Sequence, residues 1–172
     1  MAEWYIVHVH LGKEDKVAGI INRKLLAHLY RPFIPQKEIF FRRAGITKIE
    51  RRICFPGYVF IESQTTAKEF LDTAQRLIAS IKEVYSMLSY DGKDDIALTE
   101  TDMGLLRFLL GDGDCIKVSR GIMVDGVLKV DSGALVGKEE TIVKINRSKQ
   151  IAEIEINLMG EKKHITVGLE II

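Results

Sequence analysis

Residues 51–62, Arg51-Arg52-Ile53-Cys54-Phe55-Pro56-Gly57-Tyr58-Val59-Phe60-Ile61-Glu62, place the tightest constraint on the fold. Pro56 lacks an N–H and Gly57 tolerates positive φ, so the chain should turn sharply here and present Phe55 and Tyr58 at a strand entrance. From Tyr58 to Ile61 the apolar run is unbroken, the pattern of a strand buried on both faces. On turn chemistry alone the segment reads as a structural turn whose aromatics enter the core.

The flanking sequence supplies partners for that strand. Trp4-Tyr5-Ile6-Val7-His8-Val9-His10 is β-rich, with Tyr5, Val7 and Val9 on one face and Trp4, Ile6, His8 and His10 on the other, and reads as a central strand. Val17, Ile20, Ile21, Leu25 and Leu29 recur at helical spacing, which predicts an amphipathic helix over 14–29 ended by Pro32. Ile39-Phe40-Phe41, a loop at Ala44–Thr47 and a return through Ile49 predict a long hairpin with charged arms. A second helix is expected around 67–78 with Phe70, Leu71, Ala74, Leu77 and Ile78 inward, then a strand over 84–88. Asp91-Gly92-Lys93-Asp94-Asp95 reads as a solvated loop. Thr99 and Asp102 approximate a capping box for a last helix bearing Leu105, Leu106, Leu109 and Leu110.

After Gly111-Asp112-Gly113-Asp114 only strand signals and turns remain. Val127–Val130, Thr141–Ile145, Ile151–Leu158 and His164–Val167 are short, evenly spaced strands of the kind that curl into a small barrel. The expected class is therefore α+β: an N-terminal antiparallel sheet with packed helices over 1–109, a linker over 110–123, and a small β-barrel over 124–172. Ile151, Ile154 and Leu158 also fit a helical stripe, but the alternation of Ile154, Ile156 and Leu158 and the β-branched density favour a strand.

Charge is distributed unevenly. The whole chain of 172 residues carries a net charge of +1. Residues 31–52, however, hold seven basic side chains against two acidic ones, so the positive field is concentrated on the hairpin. The two cysteines, Cys54 and Cys115, lack metal-ligand spacing and read as buried thiols of a reducing compartment. With no signal-like start and no run long enough to span a bilayer, a cytoplasmic protein without membrane contact is expected.

Motifs of enzymatic chemistry are missing. There is no Gly-x-Gly-x-x-Gly, phosphate loop or nucleophile elbow, and Asp112 with Asp114 lacks the remaining positions of a calcium loop. His8 and His10 share a strand face without a third ligand, so they read as ordinary strand histidines and neither metal nor cofactor is expected. Arg42, Arg43, Lys48, Arg51 and Arg52 are suited to salt-sensitive phosphate contacts that position without reading bases. The alternative is a hairpin charged only for solubility.

The strand opening at Trp4-Tyr5, the Gly12-Lys13-Glu14 helix start, the basic hairpin and the Phe55-Pro56-Gly57-Tyr58 turn together resemble the amino-terminal domain of the NusG family of transcription elongation factors. Gly133-Ala134-Leu135-Val136-Gly137-Lys138-Glu139 resembles that family's KOW motif, and the two segments stand in the family's order and spacing. The resemblance implies a non-enzymatic protein whose N-terminal domain grips the clamp helices of RNA polymerase and favours processive elongation, with an SH3-like KOW barrel behind it. Carried over by position, Tyr5, Phe55 and Tyr58 become the polymerase-binding residues. Aromatics suit that task because they desolvate a large area at small entropy cost. The five basic hairpin residues become contacts to the non-template DNA strand at the upstream fork of the bubble. In the barrel, Gly133 and Gly137 permit a tight backbone path that Leu135 anchors.

Two departures narrow the resemblance. Where general NusG has Gly-Pro-Phe and Phe-Gly-Arg, this chain has Gly133-Ala134-Leu135 and Met159-Gly160-Glu161. The resemblance therefore does not extend to contact with Rho or the ribosomal protein NusE. Residues 158–170, with the Asn146-Arg147-Ser148-Lys149 turn, look more like the specialised paralogue family LoaP, operon-specific antiterminators. That likeness implies contact with nascent RNA, for which Lys129, Lys144, Arg147, Lys149, Lys162 and Lys163 are candidates, by phosphate contact or by the shape of a hairpin. Solubilising lysines are the plainer alternative. A monomer is expected. The competing class is an RNA-binding or ribosome-associated KOW protein without polymerase contact.

Overall fold

The computed structural model describes residues 2–90 and 95–172. Of the loop predicted at 91–95, only Asp95 lies within the described residues. The chain divides into two compact units, Met1–Pro35 with Phe55–Met103 and Gln36–Cys54 with Gly104–Ile172.

The first unit is built on a sheet ordered β2-β5-β1-β6, comprising β1 (Glu3–Val9), β2 (Tyr30–Phe33), β5 (Tyr58–Ser63) and β6 (Val84–Met87). All its pairings are antiparallel, and β1 is central as expected. One face carries α1 (Glu14–Lys24) and a helical segment made of α2 (Ala67–Glu69), a π-helical stretch (Phe70–Gln75) and α3 (Arg76–Ala79). Tyr5, Val7 and Val9 of β1 meet Val17 and Ile21 of α1 and Phe70, Ala74 and Ile78 of the second segment in one core. The period of two on the strand and the helical period on its cover thus converge.

Two helices depart from expectation. α1 stops at Lys24, five residues early, because Leu25 turns extended so that the chain can reach β2, where Tyr30 pairs with Ser63. Pro32 is accordingly a strand residue of β2 and ends no helix. The π-helical stretch widens the turn and carries Leu71 outward to 41% exposure, whereas the 3.6-residue period predicts it inside. The Thr73 hydroxyl bonds the Glu69 carbonyl at 2.6 Å within that distortion.

The second unit holds the hairpin of β3 (Gln36–Arg43) and β4 (Ile46–Ile53), joined by β7 (Cys115–Ile116) in parallel to β3. Ala44 and Gly45 both have positive φ, giving a two-residue turn shorter than the predicted loop, whose twist matches the strands. α4 (Glu100–Leu110) precedes β7 in the chain, its residues to Met103 belonging to the first unit, and is capped by Thr99, whose hydroxyl accepts from the Asp102 amide. The remaining strands, β8 (Ser119–Val124), β9 (Val127–Ser132), β10 (Ile142–Asn146), β11 (Ile151–Leu158) and β12 (Glu161–Ile171), form a barrel-like sheet ordered β10-β11-β12-β8-β9. Ala152, Ile154, Ile156 and Leu158 alternate inward along β11, so this segment is a strand. Residues 110–123, expected to link two domains, carry β7 and nearly all of β8, a strand sequence reasoning missed. The class is mixed α+β, mostly sheet.

Candidate partner and nucleic-acid interfaces

In the first unit the Pro56-Gly57 turn is fixed from both sides. The Gly57 amide donates to the buried Glu14 carboxylate at 2.8 Å, and the Gly57 carbonyl accepts from the Val9 amide at 2.8 Å. Gly57 has φ +88, a conformation that side chains resist. Glu14 opens α1, where a carboxylate is favoured by the helix dipole.

The turn does not expose all of its aromatics. Tyr5 is 0% exposed, its ring stacked on Phe70 with centroids 3.7 Å apart and its hydroxyl donating to Glu3 at 3.1 Å. Burial, and then the Glu3 carboxylate, push its phenol above the ordinary range, so it stays neutral. Phe55 is 5% exposed and packs on Phe60. Tyr5 and Phe55, expected as contact residues, are therefore interior: Tyr5 points to the helix-covered face, and Phe55 joins the Trp4, Phe33 and Phe60 cluster.

Only Tyr58 of the three reaches the surface, half-buried. Its ring lies 5.3 Å from that of His8, which in turn is 4.9 Å from Tyr85; His10 is 4.4 Å from Tyr85. Tyr85 is 62% exposed and was not predicted. It stands at a register shift between His8 and Val9, where an extra residue on β6 is turned towards the histidine face. Nothing in the local sequence marks that bulge. His8 and His10 thus belong to an aromatic surface, and among the described residues no group of three potential ligands could hold a metal.

In the second unit, pairing across the hairpin sorts the five basic candidates. Lys48 is opposite Phe41, Arg52 opposite Lys37, and Arg43 opposite Ile46, so Arg43, Lys48 and Arg52 share a face with Phe41. Arg42, opposite Thr47, and Arg51, opposite Glu38, belong to the other face. The Arg52 guanidinium sits 5.8 Å from the Phe41 ring centroid. Arg52 has a loose 3.4 Å contact with Glu50, while Arg43, Lys48 and Arg51 have no ion pair among the described residues.

The six lysine and arginine candidates of the barrel do not form one patch. Lys144, Arg147 and Lys149 gather around the β10–β11 turn, and Lys162 and Lys163 lie at the opposite end of β11, where Lys163 pairs with Glu161 at 3.2 Å. Lys129 is on β9, at the far edge of the strand order from β10. Between the clusters, His164 contacts Glu155 at 3.0 Å and Glu153 at 3.9 Å. Leu135 is fully buried, and its amide donates to Ser119 at 2.9 Å, which anchors the Gly133–Gly137 loop as expected. Cys54 and Cys115 are buried free thiols.

Residues 2–107 match the family model described as transcription termination factor nusG. The chain is 21% identical to the transcription termination/antitermination protein NusG of Thermus thermophilus over 93% of this chain and 91% of that protein. It is 24% identical to the protein of the same description from Halalkalibacterium halodurans, over 92% and 90%. A solved structure titled "Domain interaction in Thermotoga maritima NusG" is similar in fold, with a TM-score of 0.58 and 21% identity over 98% of this chain and 94% of that one. No helix among the described residues is long and apolar enough to cross a membrane.

Proposed function

The chain belongs to the NusG family of non-enzymatic transcription termination and antitermination factors, and from that premise we propose that it is an operon-specific elongation and antitermination factor of the cytoplasm. Its polymerase-binding domain, over 1–109, docks on the clamp helices of RNA polymerase. Its SH3-like KOW module, over 124–172 and extended by β8, contacts nascent RNA in the manner of the LoaP family. The departures at Ala134, Leu135, Met159 and Glu161 support a specialised role over recruitment of Rho or NusE.

The observation that carries this reading is the aromatic surface of Tyr58, His8, His10 and Tyr85 beside the Pro56-Gly57 turn. Its rings desolvate a partner helix at little entropy cost because the strands already hold them. Phe55 holds the strand entrance from behind, its carbonyl accepting from the Tyr58 amide at 3.1 Å, while Tyr5 packs into the helix-covered face of the same sheet. Binding the elongation-competent clamp more tightly than the paused state disfavours pausing in proportion to that difference, and no covalent step is needed.

The test is a pull-down of the full chain with elongating polymerase, with and without nascent transcript, using Tyr58→Ala with Tyr85→Ala. The expected result is at least a tenfold loss of affinity, about 1.4 kcal/mol, with the thermal midpoint unchanged. Undiminished capture would move the protein to the competing class of RNA-binding or ribosome-associated KOW proteins without polymerase contact.

A further inference from the structure

We propose that the basic hairpin and the β10–β11 turn form one cleft that holds a single strand of RNA, so that the groups assigned above to two nucleic acids serve one. The inference rests on the nucleic-acid part of the proposed function and deepens it. It does not depend on polymerase docking.

The cleft runs along β3 from Ile39 to Arg42 and is closed on its other side by residues 148–151, all within the second unit. Its volume is about 490 Å³. Phe40, Phe41 and Ile151 supply apolar wall; Arg42, Arg52 and Lys149 supply charge; no carboxylate among the described residues lines it. It continues at both ends into smaller depressions. Phe41 is shared with one of about 320 Å³ that adds Arg43 and Lys48, with Glu50 beside them, at the hairpin tip. Lys149 and Ile151 are shared with one of about 230 Å³ that adds Lys144, Asn146 and Glu153 on the barrel. The result is a track on which Arg42, Arg43, Lys48, Arg52, Lys144 and Lys149 outnumber the carboxylates of Glu50 and Glu153, with an aromatic ring at its middle.

Three features select the occupant. First, the charges are available: Arg43, Lys48, Lys144 and Lys149 have no ion pair among the described residues, unlike Lys16, Arg31 and Lys117, which are matched to carboxylates. A polyanion can neutralise them without breaking internal pairs. Second, Arg52 beside Phe41 places a cation and a ring face at one point of the track, the combination that grips unpaired bases whatever their sequence. A duplex, whose bases are stacked away, cannot use it. Third, carboxamides stand on the barrel wall: Gln150 has no side-chain hydrogen bond to any described residue, and Asn146 uses only its oxygen, towards Ser148 and Lys149. Gln150 can donate to or accept from a ribose 2′-hydroxyl, and the Asn146 amide nitrogen can donate to one, a group that DNA lacks. The hairpin wall is tied to the barrel, since Lys37 donates to Thr166 at 3.0 Å and the Val118 amide donates to Glu38 at 3.0 Å. The two walls are therefore held in place before a strand arrives.

The experiment is fluorescence anisotropy of the full chain with a labelled single-stranded RNA of about 12 nucleotides, inside the ~4–16 range of single-strand sites. The same sequence as DNA and as an RNA duplex forms the other arms, and no polymerase is present, so failure here leaves the docking reading intact. Lys149→Ala and Arg52→Ala should each weaken RNA binding about three- to tenfold and each lower the salt slope by about one. Phe41→Leu, which keeps an apolar side chain on the hairpin, should weaken binding about fivefold or more with the salt slope unchanged. The paired change Arg52→Ala with Lys149→Ala should fall short of the product of the single effects, because both contact one strand. Lys24→Ala with Lys68→Ala, exposed positions of the first unit, should leave binding unchanged. The proposal is overturned if Lys149→Ala has no effect while the hairpin variants do, or if the duplex binds as well as the single strand. Equal affinity for DNA would overturn the assignment to RNA.

Discussion

The Gly57 amide and the Glu14 carboxylate, 43 residues apart in the chain, meet in a buried hydrogen bond of 2.8 Å. It joins the first residue of α1 to the turn that launches Tyr58, so the helix on one side of the sheet sets the position of a ring on its surface. Glu14→Ala leaves the Gly57 amide unsatisfied in the interior and should cost about 1–3 kcal/mol, read by urea denaturation. Glu14→Gln keeps an acceptor and should cost less.

Tyr5 and Tyr85 should behave oppositely. Tyr5→Ala opens a cavity against Phe70 and should lower stability by about 3–5 kcal/mol. Tyr5→Phe loses only the Glu3 contact and should cost about 0.5–1.5 kcal/mol. Tyr85→Ala, at an exposed position, should stay within about 0.5 kcal/mol of the parent in the same melts while reducing polymerase capture.

The two loop glycines differ in what surrounds them. A Cβ at Gly133 would meet the Val118 carbonyl oxygen at 2.2 Å and the Ser119 Cα at 2.5 Å, both backbone, at φ +96. Gly133→Ala should therefore cost about 3 kcal/mol or more and disturb the barrel, as seen by amide exchange. Gly137 has φ +74 but open space, so Gly137→Ala should cost about 1–2 kcal/mol from backbone strain alone.

Burial pushes the Cys54 thiol up to about 12, with the Lys37 ammonium partly opposing. The unfolded chain releases that proton near pH 9.0, whereas the folded protein retains it. The stability tied to this group is intact below that pH and falls as pH rises, by about 1.4 kcal/mol per pH unit, until the folded thiol itself ionises. Denaturation of the parent and Cys54→Ala at about pH 8 and pH 10 should show the parent losing more. An equal loss in both would assign the alkaline sensitivity elsewhere.

The elements were legible where local pattern and tertiary demand coincide. The alternation of Trp4–Val9 gave a central strand because one of its faces meets helices, and the unbroken Val59-Phe60-Ile61 run marks a strand covered on both sides. Where a distant partner intervened, pattern misled: α1 is cut short by the pairing of Tyr30 with Ser63, and Leu71 is carried outward by a π-turn whose helical spacing looks regular. For the site, residue types were readable but not sides. Tyr5, Phe55 and Tyr58 are alike as aromatics near one turn, yet only Tyr58 reaches solvent, and Tyr85 entered the surface through a bulge with no sequence mark.

Composition, period and motif order along the chain were enough for the family, the mixed α+β class and the charge of the hairpin, because each of these is a property of neighbouring residues read in order. Which basic groups stand together was settled only by folding. Arg52 and Lys149 have every element from β5 to β10 between them in the chain and line one cleft, while Lys149 and Lys162, much nearer in sequence, lie at opposite ends of β11. The reason is that a strand carries its two ends apart by about 3.3 Å per residue, whereas pairing and packing bring remote segments within a side chain's reach.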